Sequence, residues 1–83
     1  MEIIYSPLVI KKLKKINPSD LPKIKKKVLS LQADPLSGKV LKGEFSGLRS
    51  LKVWPLRIIY AFDPTAQIVN IITIDYRQGV YKK

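Results

Sequence analysis

The hydrophobic rhythm of this chain changes once, near Gly47, from a helical period to a strand period, and that change bounds the folds open to it. Ahead of it, Ser6-Pro7 reads as a helix start. The serine offers an N-cap acceptor, and a proline at the first helical position gives up only an N–H that would have no intrahelical partner. Val9, Leu13 and Ile16, with Ile10 beside them, then mark one apolar stripe, while Lys11, Lys12, Lys14 and Lys15 take the remaining face. Asn17-Pro18 should end this helix near Ile16. A second helix is capped by Ser19 or Asp20, carries Pro22 in its first turn, and repeats apolar residues at Leu21, Ile24, Val28 and Leu31. Lys23, Lys25, Lys26 and Lys27 form its outer face, and Asp34-Pro35 stops it. A turn or loop, Leu36-Ser37-Gly38-Lys39, leads into Val40-Leu41.

Beyond Gly47 three β-type runs follow, Arg49 to Val53, Leu56 to Phe62 and Ile68 to Tyr76, and an earlier short β-prone run spans Glu2 to Tyr5. The breaks at Trp54-Pro55 and Asp63-Pro64-Thr65-Ala66 are short enough to imply antiparallel hairpins. In the second run Leu56, Ile58, Tyr60 and Phe62 share one face, leaving Arg57, Ile59 and Ala61 on the other. The apolar face should pack on the helices, so Arg57 should project from the opposite, open face.

Eighty-three residues make one small domain, residues 1–83, with a single core. Cysteine and histidine are both absent, which excludes disulfides, thiolate zinc sites and the usual hydrolase triads. The six acidic residues follow no metal-ligand spacing, so neither metal nor cofactor is expected. With no apolar run near membrane-spanning length, the expectation is a soluble cytoplasmic protein. A formal charge of +10 calls for an anionic partner: nucleic acid, an acidic protein or a membrane surface.

The cations are unevenly distributed. Of thirteen lysines, eight crowd the two helices, where they read either as a solvated face or as an electrostatic track for RNA or DNA. The three arginines, Arg49, Arg57 and Arg77, all lie in the strand-like half, where a guanidinium must meet a phosphate, a carboxylate or a backbone carbonyl. Arg, Lys, Tyr and Glu suit one reaction well. In RNA cleavage by the ribose 2′-hydroxyl the substrate brings its own nucleophile, and the protein need only position it, stabilise charge and move protons. The same residue types equally describe a stacking platform for single-stranded nucleic acid, or an arginine paired structurally with Asp75 or Glu44.

The run PLSGKVLKGEFSGLRSLKVWPLRIIYAFD, followed by IITIDYRQGVY, resembles the RelE toxins of toxin–antitoxin pairs, within the RelE/ParE superfamily. Pro35-Leu36, Leu41-Lys42-Gly43, Gly47-Leu48-Arg49, Arg57-Ile58-Ile59-Tyr60 and Arg77 with Val80-Tyr81 carry the likeness, which extends over nearly the whole chain. It implies an α+β fold, two N-terminal helices packed on a twisted antiparallel sheet of about four strands. The implied activity is metal-independent, ribosome-dependent cleavage of messenger RNA in the A site, leaving a cyclic phosphate and a 5′-hydroxyl. By the same resemblance the catalytic set falls on Arg57, Arg77, Tyr81 and Lys52, with Glu44 at the step where YoeB-type toxins use a general base. Arg49, Lys42, Lys82 and Lys83 are then RNA-binding. Ser50 stands where many relatives carry a second basic residue, and Tyr76 or Val80 where they carry a histidine, so Lys52, Glu44 and Tyr81 are left to share the role of base. The resemblance also implies an acidic antitoxin partner, with the chain itself monomeric when alone and hetero-oligomeric with that antitoxin. The alternatives are a ParE-like inhibitor of DNA gyrase, a branch that generally lacks the arginine and tyrosine set, and an inactive nucleic-acid-binding member.

Overall fold

The computed structural model describes residues 1–76. Its elements are β1 (Glu2–Tyr5), α1 (Pro7–Leu13), α2 (Leu21–Ser30), β2 (Lys39–Val40), a 3-10 turn (Gly43–Phe45), β3 (Arg49–Val53), β4 (Leu56–Asp63) and β5 (Ile68–Tyr76). The sheet has five strands in the order β1-β5-β4-β3-β2. It is mixed: β2 to β5 are antiparallel neighbours, but β1 runs parallel to β5, with Ile3 opposite Val69. The expectation of about four antiparallel strands is therefore corrected on both count and direction. The added strand, β2, is only two residues long, too short for any alternation to show in sequence.

Both helices start as their sequence dictates, and only one uses its cap. Val9 N donates to Ser6 Oγ at 3.2 Å, and Ser6 N donates to the Ile71 carbonyl at 3.2 Å, so a single residue starts α1 and fastens it to β5. Helix α1 ends at Leu13, short of Ile16. Its last turn tightens through i to i+3 bonds, Lys15 N to Lys12 O at 2.9 Å and Ile16 N to Leu13 O at 3.4 Å, which still carry Ile16 into the core. Asp20 holds the N-cap position of α2 without capping it. Its carboxylate accepts from the Tyr76 hydroxyl at 3.3 Å and lies 3.4 Å from Lys23 Nζ.

Val9, Ile16, Ile24, Val28 and Leu31 from the helical half meet Leu51, Leu56, Ile58, Tyr60, Val69, Ile71 and Ile74 from the sheet in one buried cluster. Each fully buried large side chain in it contributes about 1.5–3 kcal/mol of transfer free energy. The alternation expected of β4 holds: Leu56, Ile58 and Tyr60 are buried with the helices, and Arg57, Ile59 and Ala61 are half-buried on the other face. No helix of the described residues is long and apolar enough to cross a membrane.

Candidate phosphate-binding site

Strand register assembles the site. Lys52 lies opposite Arg57, and Lys39 lies opposite Ser50, two residues earlier on the same face of β3. Lys39, Ser50, Lys52 and Arg57 thus form a diagonal row across β2, β3 and β4 on the face turned away from the core. Side chains directly opposite in an antiparallel pair stand about 5 Å apart, and like charges so placed destabilise a sheet. On its other side, across β4 and β5, Arg57 lies opposite Asp75, which offsets part of that repulsion for the arginine but not for Lys52.

These residues, with Lys27, Ser37 and Leu41, line a hollow of about 490 Å³. Among the described residues, four of its lining side chains are cationic and none is acidic. Ser50 is 6% exposed, and its Oγ is buried with no hydrogen-bond partner among the described residues. Buried hydroxyls are nearly always satisfied, so Ser50 marks an incompletely satisfied point in the floor beneath the cations.

The loop that brings Ser37 and Lys39 to this hollow is pinned from the core side. The buried Tyr60 hydroxyl donates to the Pro35 carbonyl at 2.8 Å and accepts from Gly38 N at 2.9 Å. Beside it Arg49 Nη1 donates to the carbonyls of Gly38 at 3.0 Å and Leu36 at 3.2 Å. Tyr60→Phe removes the hydroxyl from both bonds and should cost about 1–3 kcal/mol in denaturant unfolding, because Gly38 N and the Pro35 carbonyl would lose their partner. A midpoint equal to that of the parent would show that the loop is held elsewhere.

The end of β5 is anchored just as firmly. The Tyr76 hydroxyl accepts from Asn17 N at 3.1 Å and donates to Asp20, tying the last described residue to the α1–α2 connection. Next to it the Asp75 carboxylate accepts from Lys12 Nζ and from Thr73 Oγ1. Elsewhere, burial pushes the Tyr5 phenol above its ordinary pKa, in an apolar groove shared with Ile10, Leu13, Leu21 and Ile24.

Of the residues singled out by sequence, Arg57 and Lys52 are brought together. Arg49 points to the core side and braces backbone carbonyls, one of the three partners open to a strand arginine. Lys42 and Glu44 are exposed at the 3-10 turn, outside the lining of the hollow. Arg77, Tyr81, Lys82 and Lys83 lie outside the described residues. Sequence reasoning missed Lys27, Ser37 and Lys39. The face of Arg49 could have been read from β3, where it alternates with Leu51 and Val53 and opposes Lys52.

The family model described as the ParE toxin of the type II toxin–antitoxin system parDE matches residues 3–81. The chain belongs to that family. No curated protein matches its sequence. Among solved structures, this ParE-family chain is similar to the toxin–antitoxin complex RelBE2 from Mycobacterium tuberculosis, with 26% identity, a TM-score of 0.85, and coverage of 92% of this chain and 96% of that one. A YoeB/ParE toxin from Agrobacterium tumefaciens matches at 16% identity and TM-score 0.80, covering 93% and 99%. The archaeal RelE–RelB complex from Pyrococcus horikoshii OT3 matches at 18% identity and TM-score 0.76, covering 92% and 93%. At such identities the last two establish the shared fold, which is the RelE/ParE architecture expected from the resemblance.

Proposed function

We propose that this chain is a toxin that cleaves messenger RNA on the ribosome without a metal. The observation that carries the proposal is the Lys52–Arg57 cross-strand pair, two cations set face to face in a hollow lined by two further lysines and, among the described residues, no carboxylate. The lysine–arginine contact does not by itself favour the sheet, whereas a phosphorane, with its extra negative charge, is stabilised by both cations. In the proposed reaction the ribose 2′-hydroxyl gives its proton to a general base as its oxygen forms a bond to the adjacent phosphorus. The 5′-oxygen of the next nucleotide leaves and takes up a proton, giving a cyclic phosphate and a 5′-hydroxyl. Arg57 holds the non-bridging oxygens and Lys52 assists it or moves a proton. Arg77 and Tyr81 complete the set by family resemblance, and Tyr76, the last described residue before them, is held by Asn17 and Asp20. The RelBE2 and RelE–RelB structures are complexes with antitoxins, which supports an acidic antitoxin as the restraining partner here.

One observation favours a second reading: the matching family model is that of ParE, and an inhibitor of DNA gyrase would cut no RNA. Primer extension on cellular messages after brief induction separates the two. The expected result is new 5′ ends inside translated codons within minutes. Intact messages, together with accumulating gyrase–DNA cleavage complexes, would replace the first reading with the second.

A further inference from the structure

A second hollow adjoins the first. It is lined by Lys23, Lys26, Lys27 and Ser30 of α2, by Lys52 and Val53 of β3, and by Trp54 at the hairpin turn. Lys27 and Lys52 line both hollows, so the two adjoin across these side chains and together make a basic channel along α2 and β3. Residues 23, 26, 27 and 30 follow the i, i+3, i+4, i+7 spacing that places them along one edge of a helix. Among the described residues no acidic side chain lines the channel in either hollow, although Asp20 pairs with Lys23 at its outer end. Trp54 is 65% exposed at this mouth, an unusual position for the chain's single tryptophan.

We propose that this second hollow is a binding track for single-stranded RNA, in which the α2 lysines hold phosphates flanking the scissile one and Trp54 stacks on a base. It deepens the reading of the Arg57 hollow and rests on it for direction. A strand with its reacting phosphate between Lys52 and Arg57 leaves past Lys27, along the α2 edge and over the indole. A row of cations beside an exposed aromatic face is the arrangement that binds single strands without sequence preference, since every base offers a π-face and every linkage a charge. An acidic peptide would use the cations but would need further apolar anchors, and the wall of this hollow offers little beyond Val53 and the indole. Part of the α2 lysine face therefore has a use other than solubility.

The single tryptophan supplies the test. The Arg57→Ala chain, which removes the proposed cleaving group, is titrated with a ten-nucleotide single-stranded RNA while tryptophan emission is followed. Saturable quenching is expected. The double variant Lys23→Gln/Lys26→Gln should bind more weakly and lower the slope of log K against log salt by about 1.4, about 0.7 for each phosphate left unneutralised. Trp54→Leu, followed by fluorescence anisotropy of labelled RNA, should bind about tenfold more weakly with its circular dichroism unchanged. Absence of quenching, or a salt slope unaltered by the two lysine changes, overturns the track. So does equal binding of a glutamate-rich ten-residue peptide with the same lysine dependence. Cleavage by the parent chain is scored separately. Lost cleavage with intact quenching removes the nuclease reading and keeps the track, and intact cleavage without quenching does the reverse.

Discussion

Arg57→Ala is expected to reduce single-turnover cleavage of ribosome-bound message by a factor of about 10² to 10³, the usual consequence of removing one preorganised donor to a developing oxyanion. Stability should change little. Arg57 stands in register between Lys52 of β3 and Asp75 of β5, so truncating it removes a like-charge and an opposite-charge neighbour together, and the melting temperature should stay within a few degrees of the parent. Arg57→Lys should recover only part of the rate, because an ammonium is a point charge and cannot grip two phosphate oxygens with a planar fork. That combination is diagnostic. A merely structural arginine would lower stability when removed and would cost activity only through unfolding. Equal rates for the parent and Arg57→Ala on ribosomes, at matched circular dichroism, would remove Arg57 from the site.

Gly38→Ala is expected to be the most damaging small substitution in the described chain. A Cβ at position 38 would lie 2.6 Å from the Tyr60 hydroxyl and 2.7 Å from its Cε1, and Tyr60 is fully buried with its ring wedged in the core. The ring cannot withdraw without surrendering its bonds to Gly38 N and the Pro35 carbonyl. Overpacking together with those losses should cost about 2–4 kcal/mol, lowering the melting temperature by at least about 10 °C in a domain of this size. Pairing the change with Tyr60→Phe makes the test specific. Phenylalanine removes the 2.6 Å approach but not the one to Cε1, so the double variant should be more stable than the sum of the two single losses. Additive losses, or a Gly38→Ala melt within about 2 °C of the parent, would count against this account of the loop. Cleavage should fall in Gly38→Ala as well, since the same loop delivers Ser37 and Lys39 to the hollow.

Local chemistry made a good part of the fold legible in sequence. Ser6-Pro7 starts α1 through a serine cap, and the apolar face of β4 packs on the helices and leaves Arg57 on the other side. What stayed hidden depends on non-local pairing. Nothing in Glu2 to Tyr5 announces a parallel partner sixty-six residues later, and two residues of β2 are too few to show a period. Lys27 and Lys39 were invisible as site residues because, among thirteen lysines, only register and helix position distinguish those that converge. Arg49 attracted attention by residue type, yet it is a brace. Alternation along β3 places it with Leu51 and opposite Tyr60, on the face where carbonyls of the loop are within reach.

The parallel pairing of β1 with β5 also governs when the sheet can close. Glu2 to Tyr5 have their partners at Ile68 to Ile71, so β1 cannot pair until β5 has been made. Ser6, too, needs the Ile71 carbonyl before it can fasten α1 in place. Such a closure joins segments far apart in sequence and is intrinsically slow. A nascent chain that stops before β5 therefore has helices and hairpin strands but no closed sheet. The sheet that carries the hollow is closed only when β5 is present to pair with both β4 and β1.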